Sequence, residues 1–229
     1  MPQNTAAETT TAPESVLHIN LRMANPVETY TSPIETHPLQ PFLPEGCRLL
    51  MLGSFPPSRR RWCMDFFYPN FINDMWRIFG TVFFEDKCRF VDEQQKIFRQ
   101  REIEQFLNDK KIGIFDCAQA VRRLKNTASD KDLEVVEETD LVALLNSIPM
   151  CQSVVTTGQK ATDILTRQFA ISQPQVGSSV GFVLNRRPLR LYRMPSSSRA
   201  YPMKMEKKAL SYEKMFRETG LLDEEYHEI

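Results

Sequence analysis

At 229 residues, with Lys and Arg matching Asp and Glu at 29 each, the chain can bury a substantial core in one domain, and its net charge excludes attraction of a polyanion except through local basic clusters. Its five widely spread cysteines (Cys47, Cys63, Cys88, Cys117 and Cys151) include no CxxC pair and no histidine at ligand spacing, so they read as free thiols of a reducing compartment and exclude a structural zinc or an iron–sulfur cluster. No run of about eighteen apolar residues and no basic flank before an apolar core occurs, so neither a membrane span nor a secretory signal is expected and the chain reads as soluble and cytoplasmic.

In chain order, residues 1–36 are rich in Thr, Ala, Glu and Pro with one short apolar patch from Val16 to Leu21. Such a composition does not offset its ordering entropy, and the segment reads as a mobile tail. The domain is expected over residues 37–222, with an acidic tail at 223–229. It opens on "HPLQPFLPEG", whose prolines and glycine lead into "CRLLMLG", a run with the length of a buried parallel strand. The segment "FINDMWRIFGTVFF" places Phe71, Met75, Ile78, Phe79 and Val82 at helical spacing. "DEQQKIFRQREIEQFLNDKK" repeats that pattern with Ile97, Phe98, Ile103, Phe106 and Leu107. A strand is predicted at Ile112 to Phe115, ending in Asp116 and handing over to a helix or turn. Thr139 or Asp140 caps a helix over "TDLVALLNSI", "CQSVVTTG" is a third strand, and "QKATDILTRQF" is a helix at its carboxyl edge. "GFVLNRRPLRLYRM" reads as a hairpin-like pair or one broken strand, and a closing helix, "PMKMEKKALSYEKMFRETG", starts on Pro202 and ends at Gly220.

Strands alternating with helices imply an α/β fold about a mostly parallel sheet, whose ligands bind outside the carboxyl ends of the strands. Two segments escape core patterning: "GSFPPSRRRWCMDFFYPNFINDMWRIFG" from Gly53 to Gly80, and "MPSSSRAYP" from Met194 to Pro202. Each follows a predicted strand, as does Asp116, so all three are expected at one cleft.

These segments carry a resemblance. "MPSSSRA" is similar to the second motif of thymine-DNA and mismatch-uracil-DNA glycosylases, and "YPNFINDMWRI" to their "YPGPGNHFW"-type segment, from Tyr68 through Asn73 to Trp76. "LMLGSFPP" with "GIFDCAQAVRRLKNTASDKDL" resembles still more the hypoxanthine-DNA glycosylase branch of the same uracil-DNA glycosylase superfamily, over roughly Leu49 to Thr219. The resemblance implies a three-layer α/β/α fold and a metal-free, cofactor-free, monomeric enzyme acting on DNA that contains a damaged or mismatched base. One departure matters. Most of the superfamily carries Asp or Asn two residues after the glycine of the first motif to position water, whereas Phe55 stands there and has no polar atom. The hypoxanthine branch shares that loss and resembles this chain in an Asn three residues before the Trp, here Asn73.

Cleaving a base from deoxyribose makes the sugar oxocarbenium-like and the base anionic, so fixed donors near the base and a placed water are required. Asn73 is the expected water-positioner, its amide both accepting and donating; the plain alternative is an N-cap of the helix holding Trp76. Tyr68 lies where the family stacks a ring on the extruded base, although a core tyrosine has the same sequence. Gly53, Ser54 and Phe55 are expected beside the base. Asp116 occupies the slot where uracil-excising relatives read the base edge with Asn; a carboxylate only accepts, so it takes a ring N–H, or else it caps a helix. The small residues Ser196, Ser197 and Ser198 let backbone N–H groups converge on an anion, and Arg199 enters the space of the flipped nucleotide. Ser198, Arg199, Lys160 and Arg59 are the expected DNA contacts. Further basic residues (Arg60, Arg61, Arg122, Arg123, Lys125, Arg186, Arg187, Arg190, Arg193, Lys204, Lys207 and Lys208) recur near the loops, either for phosphates or as a solvated face. His18, His37 and His227 lie near the termini and receive no catalytic role. With no lysine in the matching motifs, the expected product is an abasic site in an intact strand. A glycosylase-like module that binds nucleic acid without turnover is the rival, favoured by Phe55, and a nucleoside N-hydrolase a more distant third.

Overall fold

A computed structural model describes Met1 and residues 32–125 and 130–222. The chain divides after Thr31, and the fold below is that of the unit beginning at Ser32. Residues 2–31 of the tail expected over 1–36, the acidic segment 223–229, His18, His227 and residues 126–129 lie outside the described residues, whereas residues 34–36 of that expected tail form a strand.

A short strand, β1 (Ile34–Thr36), precedes β2 (Leu49–Gly53), which is buried at every residue, as its unbroken apolar run requires. Helix α1 (Met75–Phe84) starts where Asn73 Oδ1 accepts from the Met75 N–H at 2.9 Å and ends at Glu85 in the left-handed region, φ 54°. Phe71, expected on its apolar face, stands before it. A second departure concerns Ile97 and Phe98, which are not helical. Asp92 Oδ1 accepts from the N–H groups of Gln94 and Gln95 and turns the chain back, so that β3 (Val91–Asp92) pairs with β4 (Ile97–Phe98). Helix α2 (Gln100–Lys110) then buries Ile103, Phe106 and Leu107.

After β5 (Ile112–Asp116), again buried throughout, the chain bends at Cys117 and continues extended as β6 (Ala118–Arg123), so the turn rather than the helix follows Asp116. β6 pairs antiparallel with β1 on one side and β7 (Leu133–Glu138) on the other. No sequence expectation covered this small sheet. Asp140 caps α3 (Leu141–Ser147) by accepting from the Ala143 N–H, and β8 (Ser153–Thr157) passes through Gly158 at φ 110° into α4 (Gln159–Gln168). β9 (Ser178–Leu184) and β10 (Arg187–Met194) form a hairpin whose Asn185 and Arg186 both take positive φ, as a two-residue turn between twisted strands demands. Helix α5 (Met205–Glu218) begins at Met205, not at Pro202, and buries Lys208, Ala209, Tyr212, Met215 and Phe216 along one face.

The main sheet has five strands in the order β5-β2-β8-β10-β9, parallel except for β9, and with the five helices makes a mixed α/β fold. Phe79 of α1 meets Phe106 of α2 at 6.0 Å and Phe216 of α5 at 5.3 Å, so these helices share one aromatic core. All five cysteines are free thiols. Among the described residues no helix is long and apolar enough to cross a membrane.

Candidate functional site

Strand register brings the sequence motifs together. Gly53 pairs with Asp116, Leu52 with Thr156, and Thr157 with Met194, so the parallel strands β5, β2, β8 and β10 end at one edge of the sheet. Both motif loops and Asp116 leave from that edge, as the sequence predicts.

On one side of it lie Gly53, Asp116 and Tyr68. A Cβ on Gly53 would stand 2.2 Å from Asp116 Oδ1 and 3.5 Å from the Tyr68 hydroxyl, so the glycine is required for space, not for backbone conformation. Asp116 is buried; its Oδ2 lies 2.9 Å from His37 Nε2, and its main-chain oxygen accepts from the Thr139 hydroxyl at 2.7 Å. The strand end, not a helix cap, is thus what places its carboxylate. Tyr68 takes φ 50°, an unfavourable region for an aromatic residue, at a cost of about 1–3 kcal/mol. It is held there by a 2.8 Å bond between its hydroxyl and Thr157 Oγ1 and by edge-on packing against Trp76 at 6.1 Å.

The other side joins Asn73 to the serine loop. The Asp74 N–H donates to Ser197 O at 3.0 Å, which sets the residue after Asn73 directly against the second motif. Asp74, buried, also receives Arg199 Nε at 2.9 Å and Lys208 Nζ at 3.2 Å, and Lys208 donates to Ser198 O at 2.8 Å. One carboxylate and one buried ammonium therefore stitch the two loops, and Lys208, expected in the sequence to meet phosphate or solvent, is instead wholly buried and spent on Asp74 and Ser198. Trp76 Nε1 holds Phe67 O, Arg77 holds the carbonyls of Phe71 and Asn73, and Tyr212 of α5 holds Pro195 O. Burial, with the neighbouring Tyr68, pushes the Tyr212 phenol well above its ordinary value, so it stays a donor.

Asn73 itself is half-buried, its side-chain oxygen capping α1; the amide nitrogen makes no hydrogen bond among the described residues. In the serine loop the Ser198 N–H is taken by Ser196 Oγ at 3.2 Å and Ser198 Oγ accepts from Ala200 N–H. The N–H groups of Ser196 and Ser197 make none among the described residues.

The remaining expected residues spread out. Ser54 is buried, and its carbonyl accepts from Ala118 N–H. Phe55 packs with Ala118, Val121 and Leu133, edge-on to His37 and under Arg123. Arg59 lies over the Trp62 ring at 4.1 Å and pairs with exposed Asp65. Lys160, in the first turn of α4, donates to Leu133 O at 2.8 Å. Much of the basic inventory is engaged within the fold: Arg122 with Glu134, Arg123 with Glu35, Arg187 with the carbonyls of Leu145 and Ile148. A cavity of about 490 Å³ lies beyond Asp74, lined by Arg77, Lys87, Glu93, Arg199, Met203 and Met205; Gly53, Tyr68 and Asp116 do not line it. His37, set aside in the sequence as terminal, is the residue missed. It lies 79 positions from Asp116, and no local pattern links the two.

No family model matches the chain, and no curated protein matches it. Among solved structures it is similar to one determined in solution by NMR, a candidate uracil DNA glycosylase from Methanosarcina acetivorans. The TM-score is 0.54 with 22% sequence identity, covering 82% of this chain and 99% of that one. At that identity the likeness is one of fold, and this chain has the mixed α/β fold of that protein.

Proposed function

We propose that the chain is a monofunctional DNA glycosylase that swings a deaminated base, hypoxanthine or uracil, out of DNA and hydrolyses its N-glycosidic bond. The observation that supports this reading is the Asp74–Ser197 bond, which joins the residue after Asn73 to the serine loop, with Gly53 and Asp116 paired at the strand ends. The bond from C1′ to the base nitrogen breaks with both electrons leaving on the base, and water oxygen bonds to C1′. The water's proton passes to the departing base or to solvent. Because the sugar is nearly a cation when water adds, a neutral amide suffices to hold that water, and Asn73 has a free N–H₂ and a second oxygen lone pair to do so. The N–H groups of Ser196 and Ser197 meet the anionic charge, Tyr68 stacks on the base, and Gly53, Ser54 and Phe55 form its floor. Ser198, Arg199, Arg59 and Lys160 contact the DNA strand. In this reading the fold is three-layered, the working unit spans residues 37–222, and the enzyme is an intracellular monomer that needs neither metal nor cofactor.

The test is incubation with oligonucleotides bearing single dI, dU, T:G or xanthine sites, then alkali. Cleavage after alkali alone is expected, and release from none of them removes the enzyme. Asn73→Ala should slow release by about a hundredfold or more and weaken the α1 cap by about 1 kcal/mol. Asn73→Ser keeps a cap and loses the amide, so it should match alanine in rate and wild type in melting temperature. One observation favours the rival, a binding module without turnover: Phe55 is core, and the Asn73 oxygen already caps a helix. That reading predicts salt-sensitive DNA binding unchanged in Asn73→Ala and no base release from either protein.

A further inference from the structure

His37 enters the site from outside the parallel sheet. Its N–H donates to Gln119 O at 2.8 Å, extending the pairing of β1 with β6, and its side chain is 1% exposed. The imidazole is walled by Phe115 at 4.8 Å, Phe55 at 5.2 Å and Phe67 at 6.2 Å. Its two nitrogens are both engaged: Nε2 lies 2.9 Å from Asp116 Oδ2, while Nδ1 lies 3.2 Å from Leu39 N and 2.9 Å from Leu39 O. A proton on Nε2 lets the ring donate to the Asp116 carboxylate, while Nδ1 faces one Leu39 group of each kind, an N–H to accept from and a carbonyl to donate to; the Nε2 proton is assigned from its carboxylate partner. The other carboxylate oxygen, Oδ1, makes no hydrogen bond among the described residues. It lies over Gly53, where a Cβ would stand 2.2 Å from it and 3.5 Å from the Tyr68 hydroxyl.

We infer that His37 is a positioning residue that locks the Asp116 carboxylate so that Oδ1 reads a ring N–H on the pairing edge of the extruded base. The inference rests on the proposed function and narrows its substrate class. Hypoxanthine presents N1–H and uracil N3–H to such an acceptor, whereas adenine and cytosine present a lone pair at the same ring position and are repelled by a carboxylate. The pair therefore separates deaminated bases from their parents. It also gives Gly53 its purpose, since any side chain there would unseat Oδ1.

The test measures binding as well as cleavage. Oligonucleotides carrying non-cleavable 2′-fluoro-inosine or 2′-fluoro-adenosine at one site are titrated against wild type, His37→Phe and His37→Gln. Using the same two oligonucleotides throughout makes differences in pairing and stacking cancel between proteins. Wild type should favour the inosine strand by about tenfold or more. His37→Phe keeps the aromatic packing without the donor and should bring that ratio close to one, while His37→Gln, which restores an N–H at similar reach, should recover most of it. A folded His37→Phe with the wild-type ratio, or a wild type with no preference, overturns the inference. Should His37→Phe not fold, Asp116→Asn carries the test: with the His37 N–H holding the amide oxygen, the N–H₂ faces the base, and preference should invert toward adenosine. Retained preference for inosine in that variant overturns it equally. Wild type that discriminates without releasing base removes the glycosylase reading and leaves this one standing; base release with a preference indifferent to His37 does the reverse.

Discussion

Gly53 is the smallest residue of the site and among the least replaceable. Its missing side chain is the space that Asp116 Oδ1 fills, 2.2 Å from where a Cβ would stand, and the carboxylate is not free to swing away because His37 holds its other oxygen. Gly53→Ala should therefore cost stability modestly, about 1–3 kcal/mol of overpacking, while base release falls by about tenfold or more as Asp116 is displaced. Thermal melts beside single-turnover rates check the split; a variant with wild-type rates would show that the carboxylate position is immaterial. Tyr68 shows the opposite economy. It keeps a large side chain at a strained φ of 50°, fixed from outside by Thr157 and Trp76.

Helix α5 acts on the site without entering it. Lys208 is wholly buried and divides its bonds between Asp74 and Ser198 O, so Lys208→Met leaves Asp74 with Arg199 alone and a carbonyl without its donor. Breaking a buried ion pair from one side costs about 3–5 kcal/mol, and urea unfolding should show a loss of that size. One turn along the same face, Tyr212 holds Pro195 through a phenol whose pKa burial and Tyr68 have raised. The unfolded phenol ionises near its ordinary value of about 10, while the folded one keeps its proton. The folded state then binds more protons than the unfolded state, so this stability is complete below about pH 10 and is lost as pH rises through the folded value. Urea midpoints at about pH 8 and about pH 11 should therefore differ less in Tyr212→Phe than in wild type, the rest of the fall coming from Tyr192, Cys63 and Cys117, whose pKa values burial also raises, and from Cys151, raised by its hydrogen bond with Cys47 and by burial. A variant with the full wild-type alkaline fall would exclude Tyr212 as its source.

For the molecule as a whole, balanced charge leaves the proposed DNA binding to a few placed cations. The proposed reading, with Arg59 and Arg199 among about three phosphate contacts, predicts a slope of log affinity on log salt near −3, reduced by about one in Arg59→Ala. A slope near zero would mean that DNA is not the ligand. The buried runs of β2, β5 and β8 were legible because each is a local pattern that burial enforces, whereas the hairpin of β9 and β10 was one of two readings and its turn at Asn185–Arg186 was decided by the structure. The ribbon at Ile97–Phe98 was not legible, since two apolar residues fit a helix as well as a strand and a side-chain turn at Asp92 decided between them. The pairing of β1 with β6 was equally hidden, because its register joins segments more than eighty residues apart in sequence, as Ile34 with Arg122. By itself the sequence determined the strand–helix alternation and which loops leave the carboxyl ends of strands, since both follow from hydrophobic period and punctuation. Only tertiary structure decided that Asp74 meets Ser197, that Lys208 lies beneath both loops, and that His37 backs Asp116, because contacts between distant segments arise from packing and leave no spacing in the chain.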